Sequence, residues 1–310
     1  MNLAPIILFC YNRPWHVEQT LIALSKNELA GQSVLYIYCD GPKENATEEQ
    51  ISKIKQVREV VRNEQWCKEV HIVESEKNKG LADSIIGGVT DVVNKYGKVI
   101  VLEDDIITSK GFLNYMNKAL EVYSEEPSVM HITAYMYPHK CKLPETFFYQ
   151  VPYPGGGWAT WKRAWNLYNN NTEELYNKWK DRWDEFNIFG SDTGEALSKQ
   201  LIANYNGTLK TWFVKWHATL LENNGLTLYP GRSLTNNIGF DNSGSNCFET
   251  KKFQVVITEC VSVKKSPLKI NKRASRVIYD FHNGHWYNKR RRIKLMNKIL
   301  SFLHLPIIKK

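Results

Sequence analysis

Short apolar runs alternate with helical patterns through the first hundred residues, and that alternation restricts the chain to an α/β architecture. Pro5 to Cys10 is apolar and stops at Tyr11-Asn12-Arg13-Pro14, after which Val17, Leu21 and Leu24 repeat at helical spacing. Ser33 to Cys39 is a second strand, stopped by Asp40-Gly41-Pro42, and Ile51, Ile54, Val57 and Val61 give a helix over Glu48 to Asn63. Val70 to Val73 is a third strand. Asn78-Lys79-Gly80-Leu81 opens a helix through Asp83 to Tyr96, and Val99 to Leu102 is a fourth strand. Open α/β sheets bind ligands outside the carboxyl ends of their strands. Asn12/Arg13, Asp40/Gly41 and the residues after Leu102 therefore converge on one candidate site, although Asn, Asp, Gly and Pro also make ordinary turns.

The fourth strand ends in three consecutive acids, Glu103, Asp104 and Asp105. Carboxylates set together at a strand end suit a hard cation such as Mg²⁺ or Mn²⁺, which takes one or two of them and fills its remaining positions with water and phosphate. The alternative is an acidic helix N-terminus, favoured by the macrodipole.

Beyond the triplet the pattern gives a helix over Phe112 to Glu126 and a strand over Val129 to Thr133. Pro154-Gly-Gly-Gly-Trp158-Ala-Thr-Trp161 reads as a glycine loop running into an aromatic helix start. Its glycines permit close backbone approach to a ligand. Trp212 to Asn223 reads as a helix, Gly225 to Tyr229 as a strand and Ser233 to Cys247 as a long polar loop. Many of the ten Trp and sixteen Tyr fall between Tyr149 and Trp216, which suits stacking on sugars or bases as well as core filling.

The ordered set Tyr11-Asn12-Arg13, Cys39-Asp40-Gly41, Glu103-Asp104-Asp105-Ile106, Gly111-Phe112-Leu113-Asn114-Tyr115, Pro154 to Trp158, Leu228-Tyr229-Pro230 and Asn237-Ile238-Gly239 resembles nucleotide-sugar glycosyltransferases of the GT-A type. The similarity spans about residues 4 to 253. It is shared with bacterial family-2-like sugar transferases and with the N-acetylglucosaminyltransferase that starts complex N-glycans. The resemblance implies a Rossmann-like, mostly parallel sheet flanked by helices. Residues 1–135 would form the nucleotide-sugar-binding half and residues 136–286 the acceptor-side half of one domain, with 287–310 a basic helical tail. It implies that Tyr11, Asn12, Arg13 and Asp40 hold the nucleotide, with Asn78, Gly80 and Leu81 beside base and ribose. Glu103 and Asp104 would face ribose and sugar. Asp105, with Glu103 and a late histidine, His282, would ligate Mn²⁺ or Mg²⁺. Gly156, Gly157, Trp158, Trp161 and Trp212 would lie on the acceptor side. The reaction implied is sugar transfer from a nucleotide sugar, with uridine as the expected base, to a glycan or lipid-linked acceptor in surface polysaccharide or lipopolysaccharide synthesis. The stereochemistry implied is inverting, and the sugar a hexose or N-acetylhexosamine.

The chain departs from these relatives where the eukaryotic enzyme carries an acidic pair, one member of which is its base: here Val214 and Lys215 precede Trp216. Lys215 reads first as an exposed helix lysine, with steadying a phosphate or pairing with an acid as the alternatives. The catalytic base is sought instead at Asp241 in the polar loop, which equally suits the cap of a turn, or at Asp192 or Glu195. A sugar nucleotidyltransferase is a second reading, disfavoured because Tyr11-Asn-Arg-Pro-Trp15 is not a glycine-rich phosphate loop. A non-catalytic nucleotide-sugar or glycan-binding protein is a third, kept open by the missing acid pair.

Of the net charge of +9, eight positive charges fall between Lys289 and Lys310, a stretch without an acid. The rest of the chain is close to neutral, which argues against a nucleic-acid-binding protein. Interleaved with Ile293, Leu295, Met296, Ile299 and Leu300, the basic residues suit either an interfacial helix on an anionic membrane or a terminal helix packed on the domain. The six cysteines show no CxxC pair. With no signal-peptide pattern after Met1, the expected location is cytoplasmic, with the tail as a means of peripheral attachment to the inner face of the membrane.

Overall fold

The computed structural model describes residues 2–187, 197–244, 249–284 and Leu300. Its first part runs β1 (Ile6–Cys10), α1 (Pro14–Ser25), β2 (Val34–Cys39), α2 (Glu48–Val60), β3 (Glu69–Glu74), α3 (Leu81–Tyr96) and β4 (Lys98–Glu103). Local chemistry sets these limits. Pro14 occupies the first turn of α1, where its missing N–H costs nothing. Thr47 and Gln50 close a reciprocal capping box on α2. Gly97 ends α3 at φ +78, a left-handed conformation that a side chain would strain.

The chain continues through β5 (Ile106–Thr108), α4 (Phe112–Val122), β6 (Val129–Thr133), β7 (Thr146–Tyr149), β8 (Trp158–Trp161), α5 (Lys162–Trp165) and α6 (Thr172–Trp179). Then follow α7 (Trp183–Phe186), α8 (Leu197–Tyr205), α9 (Phe213–Glu222), β9 (Leu226–Pro230), β10 (Thr235–Asn237) and α10 (Lys272–His282). No helix among the described residues is long and apolar enough to cross a membrane. Apart from Leu300, the basic tail expected over 287–310 lies outside the described residues.

Eight strands form one sheet in the order β3-β2-β1-β4-β8-β6-β9-β7. Strands β1 to β4 pair in parallel, β6 pairs in parallel with β9, and only β8 and β7 run against the rest. This is the mostly parallel, helix-flanked α/β sheet expected from the sequence. The chain leaves β1 outward to β2 and β3 and then returns to place β4 on the other side of β1. The order therefore reverses between β1 and β4, where such sheets open a crevice at their carboxyl ends.

One face of the sheet carries Ile6, Leu8, Leu35, Ile37 and Leu102 against Val17, Leu21 and Val57 of the helices. The other carries Ile7, Phe9, Val99 and Val101 against Ile85, Val89 and Val92 of α3. A third cluster gathers Tyr135, Phe147, Tyr229, Val214 and Ile278 in the second half. Burying each such side chain contributes about 1.5–3 kcal/mol.

One expectation is corrected. Trp158 to Trp161 does not start a helix but forms β8, antiparallel between β4 and β6, and only the single turn of α5 follows. The alternation explains it: Trp158 packs into the α3 face, while Ala159 and Trp161 pack into the other. The polar stretch after Ser233 also contains structure, because β10 pairs antiparallel with β5 just past the acidic triplet.

Candidate functional site

At the β1/β4 reversal the structure opens a cleft of about 290 Å³. The end of β1 contributes Tyr11, Asn12 and Arg13, the end of β2 contributes Asp40, and the turn into α3 contributes Asn78, Gly80 and Leu81. The end of β4 contributes Glu103, Asp104 and Asp105. All the residues assigned to the donor by resemblance thus border one cavity, joined by Lys43, Ser84, Lys210, Ser243 and Gly244.

Asp40 organises one wall. Its Oδ1 accepts from the backbone N–H of Gly41 and Lys79 at 2.9 and 2.8 Å. Its Oδ2 accepts from Asn78 Nδ2 and the Gly80 N–H at 3.0 and 2.9 Å. Four donors occupy the carboxylate, so it shapes the 78–80 turn and presents the N-terminus of α3 to the cleft. Unpaired N–H groups at such a terminus favour an anion. Leu81 stands half-exposed at the same edge.

Arg13 binds the triplet from the opposite strand end. Its guanidinium donates to Asp104, through Nε at 3.3 Å and through Nη2, and to Asp105 Oδ2 at 2.8 Å. Burial pulls the guanidinium pKa down, but the two carboxylates more than offset this and raise it above its ordinary value. Burial pushes Asp104 up to about 6 despite Arg13. Burial, then the charges of Asp105 and Asp104, push Glu103 up to about 8. Thr20 Oγ1 donates to the Asp104 carbonyl at 2.9 Å and pins α1 to the strand end. The ribbon closes the far side: Asn237 Nδ2 donates to Asp105 Oδ1 at 3.2 Å, and the Ile238 N–H to the Asp105 carbonyl at 2.9 Å. Gly239 leaves no room for a side chain, since a Cβ there would lie 2.0 Å from Asp105 Oδ2.

Among the described residues no group of three or more His, Cys, Asp or Glu side chains has a metal-holding arrangement. A divalent ion that takes one or two carboxylates needs less than that. The donors at the β4 end are all carboxylate oxygens, and a single guanidinium faces three of these groups. The Glu103 carboxylate borders the cleft with no hydrogen bond or ion pair to a described residue, and a cation bound beside it would offset the burial that raises its pKa. The residues present therefore fit Mg²⁺ or Mn²⁺. His282, the expected late ligand, sits at the end of α10 with its ring against Tyr137 and Phe281.

The acceptor-side aromatics are placed differently from expectation. Trp158, Trp161 and Trp212 are all buried, between 1% and 5% exposed. Trp158 stacks on Trp212 at 5.0 Å between centroids and on His131 at 5.2 Å, and Trp161 Nε1 donates to the Leu120 carbonyl. These rings fill the core and offer no face to a sugar. The glycine loop serves the cleft indirectly. The carbonyls of Gly155 and Gly156 accept from Asn237 Nδ2 and Thr235 Oγ1, which holds the ribbon that reaches Asp105. Gly157 turns at φ +72 against Leu102 and Phe112, where a side chain would be strained and tightly packed.

Asp241 lies at the edge of this region, its side chain 43% exposed. Its Oδ1 accepts from the N–H and Oγ of Ser243 at 3.0 and 2.6 Å, and Oδ2 is 3.0 Å from His16 Nε2. Burial acts to raise its pKa, but the bonds from Ser243 and His16 outweigh it and hold the carboxyl below its usual range. Asp192 and Glu195 lie outside the described residues. Lys215 is not an exposed helix lysine: it is buried, its ammonium donating to Asn170 Oδ1 at 2.8 Å. Burial lowers its pKa.

Sequence reading missed Lys43, Ser84, Lys210 and His16. Lys43 directly follows Asp40-Gly41-Pro42 and was findable from that position. Lys210 reaches the cleft from the segment before α9, paired with Asp83 at 2.5 Å, and no local pattern marks it.

No family model matches the chain, and no curated protein matches it in sequence. Among solved structures it is similar to the mannosyltransferase PcManGT from Pyrobaculum calidifontis in complex with GDP-Man and Mn²⁺. Identity there is 12%, with a TM-score of 0.36 over 56% of this chain and 46% of that one. Mouse xyloside xylosyltransferase 1 matches at 10% identity and TM-score 0.36, over 71% and 82% of the two chains. UDP-glucose pyrophosphorylase complexed with UDP-glucose matches at 10% and 0.34, over 74% and 90%. The chain spans less than half the length of the mannosyltransferase.

Proposed function

We propose that this protein is a metal-dependent glycosyltransferase that binds a nucleotide sugar, with UDP as the nucleotide, in the β1/β4 cleft. It would pass a hexosyl or N-acetylhexosaminyl group to a glycan or lipid-linked acceptor. The observation that carries the reading is the convergence of Arg13, the Asp40-held turn and the acidic triplet on one cavity at the reversal of strand order.

Breaking the bond to the anomeric carbon leaves charge on the departing diphosphate, and stabilising that charge is the main catalytic demand. The α3 N-terminus and Lys43 supply positive potential around the cleft, with Lys210 at its rim paired to Asp83, while Arg13 fixes the acids. Asp105 and Glu103 would hold Mg²⁺ or Mn²⁺, which when bound supplies a Lewis acid for the leaving diphosphate. Asp241 is the proposed base for an inverting transfer, and its low pKa keeps it ionised at neutral pH. The basic composition of 287–310 supports attachment to an anionic membrane surface, in keeping with a lipid-linked acceptor in surface polysaccharide synthesis.

Thermal-shift measurements with a panel of nucleotide sugars, with and without Mn²⁺, test this reading. A metal-dependent rise with a UDP-sugar is the expected result, and no rise with any nucleotide sugar would reject it. Two observations favour a binding protein without turnover: Val214 and Lys215 are buried, and both oxygens of Asp241 are engaged. Release of free UDP from a bound UDP-sugar excludes that second reading.

A further inference from the structure

Cys10 and Cys39 are register partners on the neighbouring parallel strands β1 and β2, and both belong to the core on the α1/α2 face. Their sulfurs lie 3.5 Å apart, with Cys10 donating to Cys39. Neighbouring strands run about 4.8 Å apart, within the Cα separations of about 4.4–6.8 Å that disulfides span. Rotation about the side chains together with a small movement of the strand ends brings the sulfurs to bonding distance.

We propose that Cys10 and Cys39 are a site of reversible oxidation, closing to a disulfide in the presence of a peroxide and thereby disabling the adjoining cleft. Cys10 borders the cleft, which gives a small oxidant its route. The hydrogen bond from Cys10 draws the Cys39 thiol below its usual range, against burial and the charge of Glu74, while that same bond, burial and Asp104 hold Cys10 well above its own; Arg58 favours the thiolate at both sulfurs. A thiol held below its usual range marks the more reactive cysteine of a pair, here Cys39. Cys67 is the contrast, since burial alone pushes it up to about 12. In the first step a sulfur attacks one peroxide oxygen, the O–O bond breaks, and a sulfenic acid and one water form. The second sulfur then displaces the hydroxyl as a second water while the S–S bond forms. Two thiols lose two electrons and two protons, and the peroxide is reduced to two waters.

The bond acts on the cleft through chain continuity. Cys10 immediately precedes Tyr11-Asn12-Arg13, and Cys39 immediately precedes Asp40, whose carboxylate holds the 78–80 turn. Contracting the sulfur separation draws the two strand ends together and misaligns both walls. The effect on a nucleotide rests on the donor reading of the cleft; formation of the bond does not.

The test treats the full chain with hydrogen peroxide, alkylates the remaining thiols and maps the peptides by mass, with UDP affinity measured before and after. A peptide pair linked through Cys10 and Cys39 is expected, with UDP binding weakened about tenfold or more by a displacement of this kind and restored by dithiothreitol. Cys39→Ala, with Cys39→Ser as a second variant, should keep its UDP affinity through the same treatment. Alkylation of both Cys10 and Cys39 after peroxide, or equal loss of affinity in the Cys39 variants, would overturn the proposal. UDP that fails to bind before any oxidation would strike at the donor reading and leave the linked peptide to decide this one.

Discussion

Nη2 of Arg13 lies 2.8 Å from Oδ2 of Asp105, so that the end of β1 is tied to the end of β4 by charge as well as by the sheet. The same guanidinium serves Asp104, and its removal leaves buried carboxylates without their cation. Arg13→Ala should lower stability by about 3–5 kcal/mol and abolish the thermal shift with a nucleotide sugar. Arg13→Lys should recover only part of either, because an ammonium cannot fork between two carboxylates. Chemical denaturation of the three proteins gives the comparison, and equal midpoints would show that the pair contributes nothing.

Asp105 is held by the ribbon as well as by Arg13, and Gly239, just past β10, leaves no room for a side chain beside its carboxylate. Gly239→Ala sets a methyl 2.0 Å from Oδ2 and must displace the carboxylate. Overpacking of this kind costs about 1–3 kcal/mol. Asp105→Ala should remove the Mn²⁺-dependent part of the donor shift, and Gly239→Ala should reduce it while leaving the carboxylate present. If donor affinity in Mn²⁺ is unchanged in Asp105→Ala, the residue has no part in holding the ion.

Asp241 is testable apart from the donor site. Asp241→Asn keeps the shape and the contact with His16 but removes the charge. Loss of a general base lowers turnover by about 10²–10⁴-fold, so the variant should bind the nucleotide sugar normally and transfer its sugar at a small fraction of the wild-type rate. Full turnover would assign Asp241 to holding the loop.

Two buried histidines make stability depend on pH. Burial lowers His131 to about 3 and His217 to about 4, so the unfolded chain, with histidines near pH 6.5, takes up these protons first. Their contribution is whole above about pH 6.5 and declines as pH falls from there toward the folded values. Glu103 and Asp104, raised in the folded protein, act with the opposite sign over part of the same range. The histidine effect is therefore read as a difference between proteins. His217→Gln should gain about 2 kcal/mol on wild type between pH 7.5 and pH 5. Parallel stability curves for the two proteins would contradict a buried neutral His217.

The first four strands and their ends were legible because each apolar run is bounded by turn-forming residues and followed by a helical period. The donor residues lie at those same boundaries, so reading the strands located the cleft. β8 was not legible. Four residues with three aromatic or small apolar side chains fit a helix start as well as a strand, and only pairing with both β4 and β6 decides between them. The three-residue β5 and β10 are too short to carry a period, and the ribbon they form is what brings Asn237 and Gly239 to Asp105. The burial of Trp158 and Trp212 was not legible either, because composition reports how many aromatics there are and not which way they point.

The insertion of β8 between β4 and β6 also has a consequence during synthesis. As the chain emerges, β3-β2-β1-β4 can assemble from local parallel crossovers, but the outer edge of β4 stays unpaired until residues 158–161 have been made. That edge is apolar and open to pairing with another chain for the whole interval. A nascent protein halted between α4 and β8 would present the β1 and β4 ends beside a bare strand, open to pairing with another chain until β8 is made.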